Sequence, residues 1–113
     1  MLKKENRLTK NKDFDQVFKN GRSSYSRVLG VKAINNNLSV NRFGILVSIK
    51  VSPKAVIRNK IKRQIRAIIN DELFLLKKGF DCAIVVFPLI LAKNYTEIEA
   101  IIRERWRKLN LYV

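Results

Sequence analysis

The chain has no histidine, one cysteine and two prolines among its 113 residues. Without imidazole, a histidine general base and a histidine metal ligand are both excluded. The single Cys82 excludes an intrachain disulfide and a cysteine-cluster zinc site. Beside Ala83 and Ile84 it reads as a buried structural thiol, not a nucleophile. Long apolar runs are absent too. The longest, Cys82 to Ala92, is interrupted by Pro88 and too short to span a bilayer. The opening MLKKENRLTK has no apolar segment of the secretory kind, so no signal peptide is expected. A cytoplasmic protein without a membrane partner is the simplest expectation.

The most telling gap is in the acidic residues. None lies between Asp15 and Asp71, where twelve lysines and arginines fall. Net charge is +15 and the hydrophobic fraction is 47%. That fraction suits one domain over residues 1–113 with one core. A charge that large opposes compaction unless a polyanion neutralises it, so nucleic acid leads the partners. A solvated charged face would mix both signs.

The cations concentrate in KVSPKAVIRNKIKRQIRAII, residues 50–69. Lys54, Arg58, Lys60, Lys62, Arg63 and Arg66 sit there without a carboxylate. Ile57, Ile61, Ile65 and Ile68 recur at helical spacing and form one apolar face. Arg58, Lys62 and Arg66 make a second row beside it. Arginine forks can take two phosphate oxygens, whereas lysine acts as a point charge.

Around this helix the chain reads in order as follows. Asn11 is a candidate N-cap for a first helix that carries Asp13 and Asp15 early and stops at Gly21. Phe14, Val17 and Phe18 share one face. Either both phenylalanines are core, or part of the face stacks on unpaired bases. Residues 22–26 can add a short strand. Val28–Ile34 and Leu38–Lys50, the second centred on Arg42–Ile49, read as strands of an antiparallel hairpin, with three asparagines between them suited to a turn. Ser52 and Pro53 predict an N-cap and first helical residue, and the long helix is expected from Pro53 to Lys77, ended by Gly79. Asp81–Phe87 is apolar enough for a largely buried strand. Asn94 to Leu109 reads as a last helix, with an Asn94–Glu97 capping box and Ile98, Ile101, Ile102, Trp106 and Leu109 inward. The order α-β-β-(β)-α-β-α implies an α+β sheet covered by helices.

The nine carboxylates form no pair beside a candidate base, and no glycine-rich phosphate loop is present. If the protein takes part in a reaction, another component carries the chemistry. A helix-turn-helix DNA reader needs a partner helix a few residues away, and strands flank this helix on both sides. A sheet with phenylalanines and a basic helix suits RNA, single strands above all.

The run RFGILVSIKVSPKAVIRNKIKRQIR, Arg42 to Arg66, resembles the signature of the protein subunit of bacterial ribonuclease P. The family's Arg-Asn-Arg core and x-Lys-Arg-x-x-Arg continuation correspond here to Arg58-Asn59-Lys60 and Ile61-Lys62-Arg63-Gln64-Ile65-Arg66. RLTKNKDFDQVFKNG is similar to the family's opening helix, and Asn94-Tyr95 to its last helix start. The resemblance covers nearly the whole chain. It implies a two-layer α+β sandwich of a mixed, mainly antiparallel sheet with a left-handed β-α-β crossover, which periodicity does not reveal. It implies a partner, a catalytic ribonuclease P RNA, that holds the active site and, with the substrate, binds Mg2+. The complex removes the 5′ leader of precursor tRNA. Catalytic residues and metal ligands on the protein, and an obligate protein partner, are not expected. By the same resemblance Lys54, Arg58, Asn59, Lys60, Lys62, Arg63 and Arg66 bind the catalytic RNA, and Phe14, Phe18, Ser48 and Lys50 line a leader cleft. Three departures stand out. Lys60 replaces an arginine, Ile49 stands where lysine is frequent, and the first main strand lacks an aromatic near Lys32. A structural RNA-binding protein of the ribosomal type is the alternative; a protein-only nuclease is disfavoured by the missing acidic pair.

Overall fold

The computed structural model describes residues 2–113. Its elements are α1 (Asn11–Asn20), β1 (Arg22–Tyr25), β2 (Leu29–Asn35), β3 (Arg42–Leu46), α2 (Ala55–Glu72), β4 (Phe80–Val86) and α3 (Tyr95–Lys108), with short 3-10 turns between. The sheet order is β1-β2-β4-β3. β1 and β2 are antiparallel, β2 and β4 are antiparallel, and β3 runs parallel to β4. This is the expected mixed, mainly antiparallel sheet of an α+β fold.

The strand pairing differs from the sequence expectation. β2 and β3 do not form a hairpin, because β4 lies between them. The reason is burial. Every β4 residue except Val85 is buried, and a strand apolar on both faces belongs at the centre of a sheet. Polar β1 takes one edge. The other edge, β3, is covered by the N-terminal segment, where Leu8 N–H donates to Phe43 O. Asn37 supplies the left-handed backbone of the β2–β3 connection at φ +59°.

The two faces of the sheet are sorted by the period-two alternation of its strands. Leu29, Val31 and Ala33 of β2, Phe43 of β3, and Cys82, Ile84 and Val86 of β4 join the core under α2 and α3. Ile61, Ile65, Ile68 and Ile69 of α2 and Ile98, Ile102 and Trp106 of α3 complete it. Sheet and α2–α3 layer are the two layers of the sandwich. Ile34 and Ala83 face the other way and pack with Val17, Phe14 and Phe18, so α1 partly covers the opposite face.

Helix boundaries also shift. α2 starts at Ala55, and Lys54, not Ser52, occupies the N-cap without a side-chain cap. Ser52 instead accepts the Lys54 N–H at its Oγ, 3.2 Å away, so Ser52 and Pro53 form a turn before the helix. α2 ends at Glu72 in a 3-10 turn, Leu73–Leu75, well before Lys77. Gly79, at φ +91°, leads into β4 and does not stop the helix. Asn11 is the first residue of α1, and Lys10 is its uncapped N-cap. Gly21 does end α1, by close approach: a Cβ there would overlap Val17 O. The Asn94–Glu97 capping box is present as read.

Buried Glu72 anchors the C-terminus, accepting from Arg103 Nε at 2.7 Å and from Tyr112 Oη at 2.9 Å. Cys82 is fully buried, and desolvation pushes its thiol up to about 12, with the neighbouring Trp106 offsetting part. Since the fold favours the neutral thiol, its contribution to stability is complete below the unfolded pKa of about 8.5 and is lost as pH rises from there towards the folded value. A thiol reagent at pH 8 is expected to modify Cys82 in urea and to leave the native protein unlabelled. Labelling of native protein at the denatured rate would contradict that burial.

Candidate nucleic-acid interface

The four buried isoleucines fix the roll of α2 and so decide where its cations point. Lys60 and Arg63 are exposed; Arg58, Lys62 and Arg66 flank the apolar face and are half-buried. Lys54 and Asn59 are exposed at the start of the helix. Among the described residues none of the six cations pairs with a carboxylate. The first turn has no acidic residue either. Its free N–H groups and dipole therefore add to a positive surface suited to phosphates. Arg58 is partly committed to the fold, since its Nη1 donates to Ser52 O at 2.9 Å and braces the turn before α2.

A second feature lies at the β3 edge. A cleft of about 300 Å3 opens between the N-terminal segment, α1, β3 and α2. Phe14 lines it from α1, Gly44 and Leu46 from β3, and Arg66 from α2. Arg66, read from sequence with the helix cations, thus belongs to the cleft as well. The rings of Phe14 and Phe18 stack with centroids 6.4 Å apart and an interplanar angle of 19°. Both are half-buried, so each seats one side on the sheet and offers part of its ring to solvent. Neither ring is wholly core: each is half-buried against the cluster of Leu8, Val17 and Ala83. Phe18 is not in the cleft lining.

Ser48 and Lys50 are not strand residues. β3 ends at Leu46, and both lie exposed in the following turn, where Ser48 Oγ accepts the Lys50 N–H at 3.2 Å. Neither lines the cleft. Lys32 donates to Phe18 O at 2.7 Å, and its Nζ lies 5.9 Å from the Phe18 ring centroid. On the β2 side the neighbour of Phe18 is thus a cation, not an aromatic.

Sequence reasoning missed Arg42. Its Nε and Nη2 donate to the two oxygens of Asp81 at 2.8 and 2.7 Å, and its Nη1 lies 3.3 Å from Asp13 of α1. Asn36 adds a donor to Asp81 at 2.8 Å. The Asp81 bond holds the Arg42 pKa above its ordinary value. This network ties α1 to two strands and so sets the depth of the cleft. An isolated cation before Phe43 gave no periodic signal of it. Among the described residues no group of three or more His, Cys, Asp or Glu could hold a metal ion, and no helix is long and apolar enough to cross a membrane.

Comparison with known proteins matches this geometry. The family model described as Ribonuclease P matches residues 2–110. The ribonuclease P protein component of Synechocystis is 42% identical over 83% of this chain and 77% of that protein. The one from Clostridium botulinum is 34% identical over 96% of this chain and 98% of that protein. The solved ribonuclease P protein of Staphylococcus aureus is 28% identical, with a TM-score of 0.87 over 96% of this chain and 98% of that one. The Thermotoga maritima protein is 27% identical, with a TM-score of 0.78 over 89% and 96%. On the family match over nearly its whole length, the chain belongs to the ribonuclease P family and is the protein component of that endoribonuclease, acting with ribonuclease P RNA in tRNA processing.

Proposed function

We propose that the exposed cations of α2 and its N-cap (Lys54, Lys60 and Arg63, with Asn59 and half-buried Arg58, Lys62 and Arg66 beside them) bind the catalytic RNA, while the β3-edge cleft takes the 5′ leader of precursor tRNA. The observation that supports the division is that Phe14 and Arg66 line one cleft, offering a ring to a base and a guanidinium to a phosphate. Phe18 extends the stack behind Phe14. Ser48 and Lys50, just beyond β3, guard the end of the cleft that Leu46 lines.

The RNA and the substrate phosphates hold the Mg2+. On the protein, Asp13 and Asp81 are engaged by Arg42, and Glu72 by Arg103 and Tyr112. The chain's part is to neutralise phosphates that magnesium would otherwise have to screen. The reaction belongs to the cytoplasm, where tRNA precursors are made.

The test is reconstitution with the catalytic RNA at low magnesium, using precursors with and without a leader. Wild-type protein is expected to raise cleavage of the leader-bearing precursor most. Gly44→Ala would overlap the tip of the Phe14 ring, and that ring can swing away, so the cleft changes and the fold survives. Both Gly44→Ala and Phe14→Ala are expected to weaken leader-bearing precursor by about fivefold or more, the value of one stacked base. Equal losses with and without a leader would refute the division.

A further inference from the structure

The cleft does not end at Arg66. One turn further along α2, at Asn70, a second groove of about 310 Å3 begins, and it runs to Phe74 and Lys78. Arg66 and Asn70 lie four apart on α2 and share a face, and Phe74 follows in the 3-10 turn that closes the helix. The N-terminal segment is continuous in the same way, with Leu2 in the cleft and Lys3 in the groove. So is the chain entering β3: Asn41 lines the groove, and Phe43 and Gly44 line the cleft. The two depressions share no lining residue, but on all three segments their linings are near neighbours in the chain, which sets them next to one another along α2.

Phe74 is 79% exposed, an aromatic ring left in water at the far end of the groove. The polar lining around it is built. Asn6 and Asn41 are buried, and their amides are locked by bonds from Asn6 Nδ2 to Asn41 O at 2.8 Å and from Asn41 Nδ2 to Lys77 O at 2.7 Å. Lys3 and Lys78 flank the groove, against one carboxylate, Glu5. Cations at the rim and a bare ring at the end are the features that hold an unpaired strand, phosphates on the lysines and a base on the ring. A second copy of this chain, at +15, would be repelled from the same surface.

We infer that this groove is a distal subsite for unpaired RNA, taking leader nucleotides beyond those held in the cleft, with Phe74 as the stacking platform and Lys3 and Lys78 as phosphate contacts. The inference rests on the leader reading of the cleft. From Arg66 to Phe74 the rest of α2 and the 3-10 turn that closes it add about 13 Å, at 1.5 Å per residue in the helix and 2.0 Å in the turn. Short leaders therefore stop in the cleft, and only longer ones reach Phe74.

The experiment measures affinity of reconstituted holoenzyme for precursors whose leaders are cut back in steps. Phe74→Ala leaves the core intact, because the ring is outside it, and urea unfolding checks this. Its affinity loss is expected to be about fivefold or more on the longest leader and to shrink as the leader shortens. Lys78→Gln is expected to lower the salt slope on the long leader by about 0.7. A Phe74→Ala loss that is absent, or the same at every leader length, overturns the inference. So does a Phe74→Ala effect confined to self-association in sedimentation. Phe14→Ala separates the two levels. If it too leaves every leader-bearing precursor unaffected, the cleft reading has failed; if it weakens them all while Phe74→Ala does not, only the distal subsite has.

Discussion

Replacing Lys60, Lys62 and Arg63 together with alanine is expected to lower affinity for ribonuclease P RNA by on the order of a hundred- to a thousandfold at about 0.1 M salt. Each phosphate contact releases roughly 0.7 to 0.9 of a counterion, so each is worth about five- to eightfold at that concentration. The slope of log affinity against log salt should fall in magnitude by about 2 to 3. Alanine is the best helix former, and none of the three side chains belongs to the buried core, so α2 survives. An unchanged urea midpoint confirms that. Salt titrations of wild type and variant that run parallel would show that these side chains do not meet phosphates. Arg58→Ala is a poor substitute for this test, because it also frees Ser52 O and loosens the turn before the helix.

Arg42→Ala is expected to cost about 3 kcal/mol of folding stability, the range for removing one partner of a buried ion pair. Asp81 is only 4% exposed, and its carboxylate would keep one side-chain donor, Asn36 Nδ2. The urea midpoint should drop with the slope unchanged, which marks a stability change and not a change in the surface exposed. Adding Asp81→Asn should recover part of the loss, since no unpaired charge then remains buried. A double variant less stable than Arg42→Ala alone would refute the pairing argument. The functional consequence follows from Asp13. With α1 released from the sheet, Phe14 loses its fixed depth, and discrimination between precursors with and without leaders should narrow even where the protein stays folded.

The helices were legible because their signals are local. The isoleucine spacing of α2, the Asn94–Glu97 box and the inward face of α3 are all carried by residues within a turn or two of one another. The ends of α2 were less so. Ser52 and Pro53 have the composition of a helix start, yet the Arg58 brace draws Ser52 into a preceding turn. That depends on a side chain six residues away. The strand limits failed for a related reason. Leu46 to Lys50 keeps a β-like composition past the point where β4 can still pair with it, since the ladder stops at Leu46 and Val85. Ser48 and Lys50 share that composition but lie beyond the last paired residue of β3.

The sequence by itself determined the electrostatics and the chemistry available. A carboxylate-free stretch with twelve cations, no histidine and one cysteine leave phosphate binding as the main capability, and side-chain charge does not depend on the fold. It also determined that α2 would roll with its isoleucines inward and its cations out. Only the tertiary structure decided which strands are neighbours, that Arg42 joins α1 to β4 through Asp13 and Asp81, and that Arg66 faces Phe14 across a cleft. The physical reason is that strand order is settled by competition for the buried centre of the sheet. β4, apolar on both faces, wins that position over the chain neighbours β2 and β3, and every contact across the β3 edge follows from that outcome.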